Sequence, residues 1–194
     1  SAEVGGSFVN NSSTKEELFN LFGDLSDTAK MAYDPEGNKE FAEVIAKFNT
    51  DWVWAEPARF AANAFVKVGE PTYLFHFDFV SEPMKERMPY GAGHGTDISY
   101  VFNTLNARWG NPETTPTDEK IAAIMNTYWA NFAKTGNPNG DGLPEWPTYT
   151  TKNSQILEIQ SDGKVVGKSD PRLIRLDLIE KAVKIRTNLQ NQGI

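Results

Sequence analysis

Very few residues in this chain can do acid–base or nucleophilic chemistry on their own. The 194 residues include two histidines and no cysteine, so disulfides, thiolate zinc sites and thiol nucleophiles are excluded. One histidine, His94, sits in "GAGHGTDISYVF" (91–102) with glycines at 91, 93 and 95 and an acid, Asp97, three residues on. Glycines on both sides let a backbone bend sharply without Cβ clashes. An imidazole of ordinary pKa near 6.5 suits a base that accepts and returns a proton around neutrality. The bland alternative is a polar residue in an ordinary turn, and a lone histidine motif is more often that. His76 lies inside "PTYLFHFDF" (71–79), flanked by Phe75 and Phe77, and reads as a structural histidine packed on one face of a strand. Two histidines 18 positions apart, without cysteine, make a poor metal site, and no metal or cofactor is expected. Glu3, in "SAEVGG", precedes a glycine pair; by itself it is a terminal carboxylate. No Gly-x-Ser-x-Gly elbow and no glycine-rich phosphate loop of the nucleotide-binding kinds is present.

The elements that must position these groups follow from periodicity and punctuation. "TKEELFNLFG" (14–23) reads as a helix with Thr14 as cap, Glu17 completing a capping box and Gly23 as stop. A second helix is expected over 25–33. Residues 38–52 carry Phe41, Ile45, Phe48 and Trp52 at helical spacing, and Pro57 breaks or restarts that pattern before a helix over 57–69. Residues 71–79 are the best strand, with aromatics at 73, 75, 77 and 79. A short helix follows Thr96. The clearest helix spans 115–136, with one apolar stripe, Thr115 as cap, Pro116 in its first turn and Gly136 at its end. A Gly/Pro-rich loop (137–149) ends on Trp146 and Tyr149. Residues 155–169 read as a hairpin turning at Asp162-Gly163, and a terminal helix starts at Asp170 and Pro171 and runs to about Leu189.

The whole reads as one mixed α/β unit over 1–194, rich in helix, with about three strands by this reading. That is few for an independent α/β domain of this size, and an uncovered strand invites pairing with another chain. A net charge of −7 and a pI near 4.9 argue against a nucleic-acid partner. No apolar run has the length of a membrane span. The start lacks Met and reads as a processed, recombinant or partial chain.

Three stretches taken together resemble one family. "GAGHGTDISYVF" is similar to the histidine motif of type-B carboxylesterases, α/β-hydrolases that include the cholinesterases. "PTYLFHFDF" resembles the strand before that histidine. "YWANFAKTGNPNGDGLPEWPTY" (128–149) resembles the Trp-x-x-Phe-Ala-x-x-Gly-x-Pro-Asn stretch and its Trp-Pro-x-Tyr close. The resemblance covers residues 71–149 specifically and the ends loosely. It implies carboxylic ester hydrolysis by a Ser–Glu–His triad in the chain order nucleophile, acid, base. His94 matches the base. Glu3 matches the acid, although the Asp usually preceding it is absent and the glycine is displaced. Asp97 is then not the acid and is expected to make a buried structural hydrogen bond. The nucleophile and the Gly-Gly oxyanion stretch have no counterpart here, and in the family both lie upstream. The resemblance therefore implies the C-terminal part of an α/β-hydrolase fold, inactive alone, which would account for the scarce strands. Its expected partners are a small carboxylic ester, the missing N-terminal part and, through its uncovered sheet, a second copy of itself. The lack of cysteine leans toward a bacterial source, and a secreted or periplasmic setting is the working expectation. A non-catalytic adhesion or binding relative is the alternative, and a self-contained ligand-binding domain a weaker one.

Overall fold

The computed structural model describes residues 12–108 and 113–191, and the chain divides into two compact units. One is Ala62–Asp170; the other combines the residues before Ala62 with those from Pro171 onward.

The second unit is helical. Helix α1 (Lys15–Asn20) starts at Thr14, whose Oγ1 accepts from Glu17 N at 3.2 Å. The returning bond of the expected capping box falls one residue early: Glu17 accepts from Ser13 N and Oγ. Helix α2 (Ser26–Tyr33) and α3 (Phe41–Thr50) follow. Pro57 does not break the chain path. A π turn over Asp51–Ala55 leads straight into α4 (Glu56–Lys67). Proline has no N–H to give and its ring collides with the carbonyl four residues back. A wider turn is the way a helix absorbs both. The π turn also buries Asp51, whose Oδ2 accepts from Tyr33 Oη at 3.1 Å and Arg175 Nε at 2.6 Å. One turn on, Arg59 is buried and paired with Glu56, Asp177 and Glu180. The terminal helix α7 (Leu173–Asn191) supplies Arg175, Asp177 and Glu180. Leu18, Phe22, Ala29, Tyr33, Val44, Phe48 and Ile179 form the core of this unit.

The first unit is built on three strands in the order β1-β2-β3: β1 (Phe75–Phe77) parallel to β2 (Gln155–Ile159), and β2 antiparallel to β3 (Val165–Ser169). The hairpin turn is where the sequence places it, with Gly163 at φ +84° and Gln160 N donating to Lys164 O at 2.8 Å. The strand expected over 71–79 is regular only at its centre. Before it, Thr72 O accepts from Tyr149 N, and Leu74 O accepts from both Leu157 N and Trp146 Nε1. Its first half therefore pairs partly with the 137–149 loop rather than with a strand. Even-numbered residues bond inward, so the backbone groups of Phe75 and Phe77 point to the outer edge, and among the described residues no third strand occupies it. The Phe75 and Phe77 side chains pack with Leu157, Ile159 and Val165 in the same cluster as α6 (Pro116–Thr135), which contributes Ile121, Met125 and Tyr128. Helix α6 has the caps that the sequence predicts: Thr115, Pro116 in the first turn and Gly136 at φ +75°. Trp146 anchors the long loop under this sheet, its ring edge-on to Tyr128 at 5.3 Å. Gly167 on β3 makes room for that loop, because a Cβ there would stand 2.7 Å from Glu145 O.

Candidate functional site

His94 is reached through a segment that leaves the C-terminal end of β1. Asp78 N makes the last bond to β2, donating to Ile159 O at 2.9 Å. Phe79, Val80 and Ser81 are buried, and a 3₁₀ turn over Glu82–Met84 buries Met84. The chain then doubles back through Gly91, at φ +109°, where a Cβ would approach Asp78 Oδ1 to 3.2 Å. Gly93 and Thr96 close a tight turn, with Gly93 O accepting from Thr96 N at 3.2 Å and Thr96 Oγ1 at 2.8 Å. His94 and Gly95 are its two central residues. Gly95 has φ +77°, the value that the third position of a type II turn demands and glycine adopts without strain. His94 is exposed at the apex. Helix α5 (Ile98–Val101) begins two residues after the turn.

Both sides of this segment are tied to one carboxylate. Asp118, in the first turn of α6, is fully buried. Its Oδ2 accepts from Ser81 Oγ at 2.8 Å, Thr115 N at 2.7 Å and Thr115 Oγ1 at 2.7 Å. Its Oδ1 accepts from Tyr100 Oη at 2.5 Å and Arg108 Nη1 at 2.8 Å. Burial pushes the Asp118 carboxyl up, but the hydrogen bonds from Tyr100, Thr115 and Ser81 outweigh it and hold the group below its ordinary range. The same pair drives the Tyr100 phenol well above its usual value, burial first and the adjacent carboxylate second. Arg108 extends the network, donating to Leu105 O, Glu113 O and Thr114 Oγ1.

The other candidates are placed as follows. Glu3 lies outside the described residues. His76 is a sheet residue, its Nδ1 3.4 Å from Oε1 of its cross-strand neighbour Glu158, which also accepts from Gln160 Nε2 and pairs with Lys168. Asp97 corrects an expectation: it is half-buried and gives α5 no side-chain cap, and the buried structural carboxylate of this region is Asp118 instead. Sequence reasoning missed that role. The available signal was Thr115-Pro-Thr-Asp118, which reads as a capping box, but nothing local points to Ser81 or Tyr100. Among the described residues no group of three or more His, Asp or Glu could hold a metal ion. An apolar cavity of about 180 Å³ lined by Tyr73, Phe75, Trp129, Phe132 and Trp146 includes no residue of the 91–102 stretch.

A turn that presents a single imidazole beyond the carboxyl end of a parallel strand is where open α/β sheets place their chemistry. The sequence profile of the Carboxylesterase family matches residues 7–175. The chain belongs to the carboxylesterase family. It is 36% identical over 171 residues to human bile salt-activated lipase, covering 78% of this chain and 20% of that protein. It is 30% identical over 148 residues to liver carboxylesterase 1 of Oryctolagus cuniculus, covering 72% of this chain and 25% of that one. Among solved structures it superposes on carboxylesterase EST55 of Geobacillus stearothermophilus with a TM-score of 0.63 and 26% identity, over 79% of this chain and 31% of the other. The chain thus spans a fifth to a quarter of the length of these curated relatives. Its helix-rich architecture with a small sheet is part of an α/β-hydrolase fold. No described helix is long and apolar enough to cross a membrane.

Proposed function

We propose that this chain is the histidine-bearing portion of a serine carboxylesterase, with His94 as general base and Glu3 as the acid that orients it. The observation that carries the reading is the presentation of His94 at the apex of the Gly93–Thr96 turn beyond β1, in a chain of the carboxylesterase family. The nucleophilic serine and the oxyanion-hole amides belong to the part of the family's length that this chain does not span. The outer edge of β1, where Phe75 and Phe77 present backbone donors and acceptors, suits the continuation of the sheet from that part.

The chemistry follows from these roles. The imidazole takes the serine proton as the hydroxyl oxygen attacks the ester carbonyl, and the oxyanion rests on backbone amides. Collapse of the tetrahedral intermediate breaks the bond to the alkoxy oxygen, which leaves as the alcohol with the proton from the imidazolium. Water then repeats the cycle on the acyl-enzyme, releasing the carboxylic acid and restoring the serine. Glu3 accepts the second ring N–H, fixes the tautomer and stabilises the imidazolium.

The deciding experiment is His94→Ala in the intact esterase, assayed on a p-nitrophenyl ester. The expected loss in kcat/KM is about 10³-fold or more, and retained activity removes His94 from the triad. This chain alone is expected to show no turnover above solvent, because triad residues act as a unit and the oxyanion hole is absent. Turnover by the isolated chain that His94→Ala abolishes would overturn the division of labour.

A further inference from the structure

We infer that Asp118 is a positioning residue for His94, holding both ends of the segment that carries the imidazole from a single point in the first turn of α6. This deepens the esterase reading and rests on it for the catalytic consequence. The geometric part stands separately.

The segment from Ser81 to Tyr100 leaves the sheet, turns back and re-enters the core. Ser81 and Tyr100 are both buried, and both donate to Asp118. Between them the chain has Gly91, Gly93 and Gly95, two of them at positive φ, and an exposed His94. Glycines impose little restraint of their own, so the direction in which the turn presents its imidazole depends on where its ends are fixed. An ionised carboxylate offers about four lone-pair sites. Asp118 fills them with Ser81 before the turn, Tyr100 after it, and Arg108 and Thr115 tying both to α6. Arg108 Nη1 closes the triangle by also donating to Tyr100 Oη at 3.1 Å.

The arrangement admits only an anion at this position. In Asp118→Asn one oxygen becomes an NH₂ group facing donors on either side, Tyr100 and Arg108 or Ser81 and Thr115, and the tie at that end is lost. Because Arg108 would also lose its buried counter-ion, Asp118→Asn is accompanied by Ser81→Ala/Tyr100→Phe, which cuts both ties and keeps the Asp118–Arg108 pair.

The test is backbone and imidazole NMR relaxation on this chain, in which two histidines make the ring signals simple to assign. Amides of Gly93, His94 and Gly95 are expected near the rigid order parameter of about 0.85 in the parent sequence and below about 0.6 in the double variant. Amides in the middle of α6 should be unchanged. A folded double variant with an unaltered turn, or a turn already mobile in the parent sequence, overturns the inference. In the intact esterase the double variant should lower kcat about 10- to 100-fold with KM within about twofold, the mark of an interaction used only in the transition state. A double variant with unchanged kcat overturns the catalytic consequence when His94→Ala is inactive. If His94→Ala stays active, the esterase reading falls and the NMR result alone decides the role of Asp118.

Discussion

At the scale of single residues, the turn around His94 depends on the handedness of one glycine. Gly95 stands at φ +77°, and a Cβ there would also touch Ile98 Cδ1 at 3.5 Å. Gly95→Ala is expected to cost about 1–2 kcal/mol, read as a lowered urea midpoint. It should also shift the His94 ring signals, whereas an alanine at the more open Gly93 should do neither. His94 itself was legible from its glycine brackets, because positive φ is a local property that a sequence advertises. Asp118 was not. Its donors sit at positions 81, 100, 108 and 115, and only the fold brings them together. Glu3 was legible only through the family pattern.

Among the elements, helix ends were readable and strand length was not. Thr14, Thr115 and Gly136 sit at the ends where the sequence puts them, because caps satisfy the helix's own backbone groups. The ends of β1 depend instead on its neighbours, and its first half meets a loop that carries Trp146. That indole fills three roles: it packs edge-on to Tyr128, meets Phe75 and Trp129, and donates to Leu74 O. Trp146→Ala is expected to destabilise the fold by about 3–5 kcal/mol. Trp146→Phe should recover most of that and leave the cost of one buried, unpaired carbonyl bond, of order 1 kcal/mol. Thermal unfolding of the two variants side by side distinguishes ring packing from the hydrogen bond.

For the whole molecule, two consequences are measurable. The first is pH dependence. Asp118 and Glu158 are each pushed up by burial and more than compensated by hydrogen bonds, from Tyr100, Thr115 and Ser81 in one case and from Gln160, Lys168 and His76 in the other. Depressed carboxyls contribute stability that is complete above their unfolded values of about 3.9 and 4.3 and is lost as pH falls through the lower folded values. Urea stability attributable to them should therefore be flat from neutrality to about pH 5 and fall steeply below about pH 4, less steeply in Asp118→Asn. The second is self-association. The chain is expected to dimerise or oligomerise through the outer edge of β1, and a lysine in place of Phe77 should shift sedimentation toward monomer, as charged edge residues do. A clean monomer of the unaltered chain at high concentration would contradict that.

The π turn before Pro57 has a consequence for how this sequence tolerates length change. A π turn stores one residue more than an α turn, so a one-residue deletion within 51–55 can be absorbed by restoring an ordinary helix. The backbone would survive, but everything after the deletion would be re-phased by about 100°. Arg59 would swing away from Asp177 and Glu180, and a buried guanidinium would lose its carboxylates. The turn is thus a vernier in the helical register, and the reading frame of α4 is set there rather than at its own cap.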